Sequence, residues 1–251
     1  MSTRYFIKLS FKGTAYHGWQ IQPNANTVQS VLNSSLSTLL GEQIETTGAG
    51  RTDAGVHART FYAHFDSENH QLAGNRKFLW NLNGILPADI SVQEICKVSP
   101  DAHARFSALS RTYEYHIVRA KDPFLPEFAH AVYRELDMPG IARATSILFE
   151  HKDFTSFSKV DTEVNNYKCH IMQAEWKSEG HLLVFTIKAD RFLRNMVRAI
   201  VGTLLEVGYG RTSPEGFRSI IDSRDRKAAG TSAPAKGLFL TAIDYPDEIF
   251  I

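Results

Sequence analysis

The chain has 251 residues, 43% hydrophobic and 22% charged, with 28 Lys and Arg against 27 Asp and Glu. This balance excludes a disordered chain and predicts one large domain or two small ones, able to bury a core without disulfides or metal. The formal net charge of +1 offers no global support for nucleic-acid binding, so an RNA partner would require positive charge concentrated locally.

Cys96 and Cys169 form neither a disulfide framework nor a Cys-x-x-Cys pair, and a reduced, cytoplasmic setting is the expectation. The start, Met1-Ser2-Thr3-Arg4-Tyr5-Phe6-Ile7, runs straight into alternating residues. No signal-peptide core and no membrane-spanning stretch is expected.

Along the chain, Tyr5, Ile7, Leu9 and Phe11 alternate and predict a strand with one buried face. Gly13 and Gly18 mark a turn region after it. Thr27 is placed to cap a helix carrying Val28, Val31, Leu32, Leu36 and Leu39 at helical spacing. Strand-like runs follow at 44–48 and 60–65, joined by a glycine-bearing loop, then a helix near 76–82 and a strand near 90–98.

The second half repeats this order. A strand at 111–118 puts Tyr113, Tyr115 and Ile117 on one face, and a helix is expected at 141–149. Strands at 168–176 and 181–189 precede a long helix at 192–207, a helix start at Ser213-Pro214-Glu215, and a last strand at 238–243. Each half reads β, α, β, β, α, β. The expected fold is therefore α+β: two similar α/β halves, 1–105 and 106–251, with largely antiparallel sheets and a cleft between them. No Pro/Ser-rich linker separates the halves, which predicts that they pack as one body.

The segment densest in chemistry is Gly48-Ala49-Gly50-Arg51-Thr52-Asp53-Ala54-Gly55-Val56-His57-Ala58. Its glycines let the backbone pass close to a ligand, and small neighbours leave Asp53 unshielded. A dinucleotide fingerprint would need glycine at position 53, where aspartate repels a pyrophosphate. No Gly-Lys-Ser/Thr exists for a P-loop, and a calcium loop would need more carboxylates. The local pattern alone favours an Asx-turn between strands.

Tyr113 and Tyr115 read either as cross-strand packing or as a stacking platform for a base. Lys188, Arg191, Arg194 and Arg198 face only Asp190, the one local concentration of positive charge. Projected on a helix, Arg191, Arg194 and Arg198 fall on one side of a stripe of Leu193, Met196, Val197, Ile200, Val201 and Leu204. Three solvated arginines are the plain reading. Arg194 and Arg198 both border the stripe, and the projection does not choose which would be buried with a carboxylate partner. Thr231-Ser232-Ala233-Pro234-Ala235-Lys236-Gly237 reads as a loop entering a strand. The histidines form no metal-ligand pattern and no deaminase signature, so no metal is expected.

Taken together, these segments resemble the tRNA pseudouridine synthase A family. The matches are Gly18-Trp19-Gln20, Thr27-Val28-Gln29, Gly50-Arg51-Thr52-Asp53-Ala54-Gly55-Val56-His57-Ala58, His103-Ala104-Arg105-Phe106-Ser107-Ala108, Arg111-Thr112-Tyr113-x-Tyr115, Asp153-Phe154-Thr155-Ser156-Phe157, Met196-Val197-Arg198-x-Ile200-Val201-Gly202 and Ala233-Pro234-Ala235-x-Gly237-Leu238. They stand in family order along nearly the whole chain. Two departures stand out: Lys12 where many members carry Asp, and Cys169 where arginine is common.

The resemblance implies the pseudouridine synthase fold, with two halves in pseudo-two-fold symmetry around a basic cleft. It implies a cofactor-free isomerase that converts uridine to pseudouridine at nucleotides 38 to 40 of the tRNA anticodon stem-loop, working as a homodimer. It places the catalytic aspartate on Asp53, the active-site tyrosine on Tyr113, and the aspartate-pairing arginine on Arg198. It also places Arg51, Arg105 and Leu238, beside Tyr113, in contact with the substrate. A module of this fold without catalysis would not need Asp53, Tyr113 and Arg198 together. A small-molecule nucleotide enzyme would need the glycine or lysine that the Asp53 loop lacks.

Overall fold

A computed structural model describes residues 2–159 and 166–251. Met1, where the reading of the N-terminus begins, lies outside the described residues. The chain divides into two units: Met1–Leu109 with Leu240–Ile251, and Ser110–Phe239.

The first unit opens with β1 (Thr3–Phe11), which leads to α1 (Val28–Leu40). Thr27 is extended and its hydroxyl accepts from the Ser30 N–H, while the Ser30 hydroxyl takes up the Thr27 N–H, so a capping box starts the helix as the sequence predicts. Gly41, with φ of 68°, ends it. Then come β2 (Thr47–Gly48), β3 (His57–Ser67), α2 (Arg76–Ile85) and β4 (Ile90–Lys97). The sheet order is β4-β1-β3, antiparallel throughout, with β2 on β3.

One expectation for β1 fails. Tyr5, Ile7 and Leu9 are buried as foreseen, but so is Phe6 on the other face. Its ring packs edge-on against Tyr245 at 5.1 Å and Phe250 at 6.1 Å, from the far end of the chain. That end is tied down by main-chain bonds from Ser99 N–H to the Ile249 carbonyl (2.9 Å) and from Ile251 N–H to the Lys97 carbonyl (3.1 Å).

The second unit has β5 (Ser110–Val118), β6 (His130–Ala131), α3 (Met138–Ile147), β7 (Ile171–Glu179), β8 (Leu182–Ala189), α4 (Met196–Gly208) and α5 (Pro214–Ser223). Its sheet runs β5-β8-β7, antiparallel, with β6 parallel to β5. Asp137 caps α3 through the Gly140 N–H and Ser213 caps α5 through the Gly216 N–H, each with proline in the first turn. The last strand, β9 (Leu238–Asp244), begins in this unit and ends in the first. The reading from sequence cut the chain once, at 105/106. By contacts the units meet at 109/110, and 240–251 goes with the first, where Leu109, Ser99 and Lys97 make main-chain bonds to Asp244, Ile249 and Ile251.

The helix expected at 192–207 starts instead at Met196. Asn195 sits at φ of 67°, a left-handed conformation no α-helix passes through. The Asp190 carboxylate, by accepting from the His170 and Arg191 N–H groups at 2.7 Å each, holds the chain before it in a turn. Arg191 and Arg194 therefore lie outside the helix, and the shared helical face expected for the three arginines does not exist. Among the described residues, no helix is long and apolar enough to cross a membrane.

Candidate active site

In the first unit, Asp53 stands on the connection between β2 and β3. The loop turns on Asp53-Ala54-Gly55-Val56, closed by the Val56 N–H donating to the Asp53 carbonyl at 3.2 Å. Gly55 takes φ of 78°, which the third position of a type II turn requires. The Gly55 N–H donates to the Tyr16 carbonyl at 3.3 Å.

The wall behind the loop is the segment that follows β1. The Gly13 N–H donates to His57 Nδ1 at 3.0 Å. Gly18, at φ of 88°, lies so close to the Thr52 carbonyl that a Cβ there would collide with it. Trp19 is buried beside Phe61, ring centroids 4.3 Å apart. Tyr16 donates its hydroxyl to Asp89 at 2.6 Å, and burial, then Asp89, push that phenol well above its ordinary range. Gln29 clamps the approach to β2, donating to the Thr46 carbonyl (2.6 Å) and accepting from the Ile21 N–H (2.9 Å). The Gly18-Trp19-Gln20 and Thr27-Val28-Gln29 motifs are thus the scaffold of the Asp53 loop. Asp53 itself is half-buried, and Arg51 is exposed.

Arg105 is also exposed in this unit, its guanidinium carbon 5.3 Å from the centroid of the Phe106 ring.

In the second unit, Tyr113 and Tyr115 take different fates. Tyr115 is fully buried, donates its hydroxyl to the Pro234 carbonyl at 2.8 Å, and is part of the core. Burial raises its phenol, and the charge of Arg198 nearby partly offsets this. Tyr113 stays half-buried, with its ring edge-on to Phe192 at 5.1 Å and 88°. The aromatic pair is therefore one core residue and one candidate platform.

Arg198, in the first turn of α4, is half-buried and donates its Nε to the Ala233 carbonyl at 2.7 Å. The Ala233 N–H returns a bond to the Arg198 carbonyl at 2.9 Å. Arg198 and Tyr115 thereby grip adjacent carbonyls of Ala233-Pro234, and Leu238, four residues beyond Pro234, is buried at the start of β9. Of the two arginines left open by the helix projection, Arg194 is exposed and Arg198 is not. Asp153-Phe154-Thr155-Ser156-Phe157 is structural: Asp153 accepts from the Thr155 N–H and hydroxyl, and both phenylalanines are fully buried. Cys169 is buried, which pushes its thiol up to about 12.

The predicted residues thus divide between the units, with Arg51, Asp53 and Arg105 in the first and Tyr113, Arg198 and Leu238 in the second. The supports Tyr16, His57 and Gln29 carry no catalytic signature by themselves. His57 and Gln29 lie within the quoted motifs, while Tyr16 has no signal beyond its place two residues before Gly18.

Comparison with known proteins matches a family model described as tRNA pseudouridine synthase over residues 9–107 and 148–246. A tRNA pseudouridine synthase A of Bacteroides thetaiotaomicron is 54% identical over 250 residues, covering 98% of this chain and 92% of that protein. That of Bacteroides fragilis is 53% identical over 248 residues, covering 98% of each, and that of Moorella thermoacetica 40% identical over 243 residues, covering 95% and 98%. The crystal structure of a Cbf5-Nop10-Gar1 complex is similar at a TM-score of 0.37 and 10% identity, covering 94% of this chain and 57% of that one. The chain belongs to the tRNA pseudouridine synthase family.

Proposed function

We propose that this chain isomerises uridine to pseudouridine at nucleotides 38 to 40 of the tRNA anticodon stem-loop, without a cofactor. Asp53 is the catalytic carboxylate, Arg198 the arginine that pairs with it, and Tyr113 the ring that stacks on the flipped base and takes up a proton. Arg51, Arg105 and Leu238 contact the substrate. The enzyme acts in the cytoplasm as a homodimer, with tRNA touching both subunits.

The reaction breaks the bond from uracil N1 to ribose C1′, turns the base and joins C5 to C1′; the C5 proton is released and N1 takes one up. It is redox-neutral. A carboxylate serves it either by attacking the nucleoside or by removing a sugar proton, and both routes need the ionised form. The target base must leave the helical stack, which an aromatic face in the site compensates.

The observation that carries this reading is the Asp53 loop. In a chain of this family, a half-exposed carboxylate sits on a turn whose backbone is held by Tyr16 and closely backed by Gly18. Such a mounting costs flexibility and gives a carboxylate a set position.

The test is incubation with unmodified tRNA followed by chemical mapping. Pseudouridine at nucleotides 38 to 40 is expected. Its absence, or modification confined to other positions, would overturn the reading.

A further inference from the structure

Phe106 is 74% exposed, on the loop that follows β4. A phenylalanine side chain left in water forgoes about 1.5–3 kcal/mol of burial, and single exposed apolar residues are common. The construction of the loop sets this one apart.

The loop is fastened at nearly every residue. Arg4 grips Asp66 through two bonds of 2.8 Å and extends a third, at 3.1 Å, to the Ala102 carbonyl. The Ala104 N–H donates to His64 Nδ1 at 3.1 Å, and its carbonyl accepts from the Tyr245 hydroxyl. The His103 ring stands edge-on to His64 at 4.6 Å, and its Nδ1 accepts from the N–H groups of Arg105 (3.1 Å) and Phe106 (3.4 Å). Ser107 closes the loop in both directions, with its N–H on the His103 carbonyl (2.9 Å) and its hydroxyl on the His103 N–H (3.0 Å).

On this mount the Phe106 ring rests against His103 at 4.4 Å with the Arg105 guanidinium 5.3 Å from its centroid. An exposed aromatic with a cation over it, its backbone ordered in advance, binds a flat π-face at little entropic cost. The cation favours a partner bearing negative charge beside that face.

We propose that Phe106 is a base-stacking residue: an unpaired base of the tRNA lies on its ring while Arg105 meets the adjoining backbone. The proposal rests on the functional reading above for the identity of the nucleic acid, and it adds a binding residue outside the set proposed there.

The test compares Phe106→Ala, Phe106→Leu and Phe106→Tyr with the full-length wild type on unmodified tRNA. Three quantities are read: the dissociation constant, the single-turnover rate at saturating enzyme, and the sedimentation coefficient without RNA. Stacking predicts that Ala and Leu weaken binding by about 5- to 100-fold. It predicts that Tyr stays within about 2-fold and that the saturated rate and the sedimentation coefficient do not change. The slope of log Kd against log salt stays as in wild type for the three, whereas Arg105→Ala flattens it by about one unit.

Equal binding by all three variants would overturn the proposal. So would Leu binding like wild type, which makes the contact merely apolar. A changed sedimentation coefficient with unchanged RNA affinity would overturn it too, marking an interface between copies of the chain. A wild type that binds tRNA through Phe106 and makes no pseudouridine would sink the functional reading and leave this one standing. Normal modification by all variants with normal affinity would do the reverse.

Discussion

Gly18 lies directly behind Thr52, with no space for a side chain between its α-carbon and the Thr52 carbonyl. The residue that precedes Asp53 is thus positioned by a glycine at φ of 88°, 34 places earlier in the sequence. Gly18→Ala must both strain the backbone and displace the loop. It is expected to cost about 1–3 kcal/mol of stability and to lower kcat more than it raises KM. Denaturant unfolding and steady-state kinetics check this. A stable variant with full kcat would show that the loop does not depend on its wall.

Tyr113 touches Phe192 with its ring, so Tyr113→Phe keeps that packing and loses only the hydroxyl. If the phenol takes up the C5 proton, the last step slows by about 10²–10⁴-fold. With tRNA deuterated at uracil C5, single-turnover kinetics should then show an enlarged isotope effect. Unchanged rates in Tyr113→Phe, with a large loss in Tyr113→Ala, would leave stacking as its whole role.

Arg198→Ala removes the cation proposed for Asp53 and the bond to the Ala233 carbonyl together, and both stability and turnover should fall. The expected loss of stability is about 1–3 kcal/mol, that of a charge-assisted hydrogen bond to a part-buried carbonyl. Arg198→Lys keeps the charge and loses the Nε contact, so it should recover part of the activity. Thermal unfolding and turnover of the two variants give the comparison, and a fully active, stable Arg198→Ala would make it a surface residue.

His64 gives stability a pH dependence of known sign. Burial first, then His103 and Arg4, push its pKa down from 6.5 to about 4, and its Nδ1 accepts from the Ala104 N–H. The unfolded chain binds the proton more readily, so the stabilisation is complete above about pH 6.5 and is lost as pH falls toward 4. Wild type should lose about 1–2 kcal/mol over that window that His64→Asn does not, allowing for screening. Urea unfolding across the window reads the difference, and parallel curves would contradict it.

Much of this was legible in the sequence, and the failures have common physical causes. Thr27, Asn33 and Gln29 illustrate both. The Thr27 cap is a local rule and was foreseen. The strand expected at 44–48 shrinks to Thr47–Gly48 because side chains of α1 occupy its backbone. Ser37 takes the Ile44 N–H, Asn33 the Thr46 N–H, and Gln29 the Thr46 carbonyl. Nothing in a period-2 pattern reports such bonds. The burial of Phe6 on the other face of β1 is not written in the local pattern, because Tyr245 and Phe250, more than two hundred residues away, cover it. The arginine face failed at one residue, Asn195, whose left-handed backbone is a single-residue choice inside an otherwise helical pattern. The site was legible mainly through the motifs. Asp53 came only with the resemblance those motifs carry, since the local pattern alone favoured an Asx-turn, and its support Tyr16 is an ordinary residue until the chain brings it behind the loop.

If Asp53 is the catalytic carboxylate, turnover depends on its charge. Asp53→Asn is isosteric and removes only the charge, on a turn held by main-chain bonds that the substitution leaves in place. The direct measurement is tritium release from tRNA carrying uridine labelled at C5, together with tRNA affinity, for wild type and Asp53→Asn. Release is expected to fall by about 10⁴-fold or more while the dissociation constant stays within about 3-fold. Release near the wild-type rate, with tRNA bound as before, would contradict it.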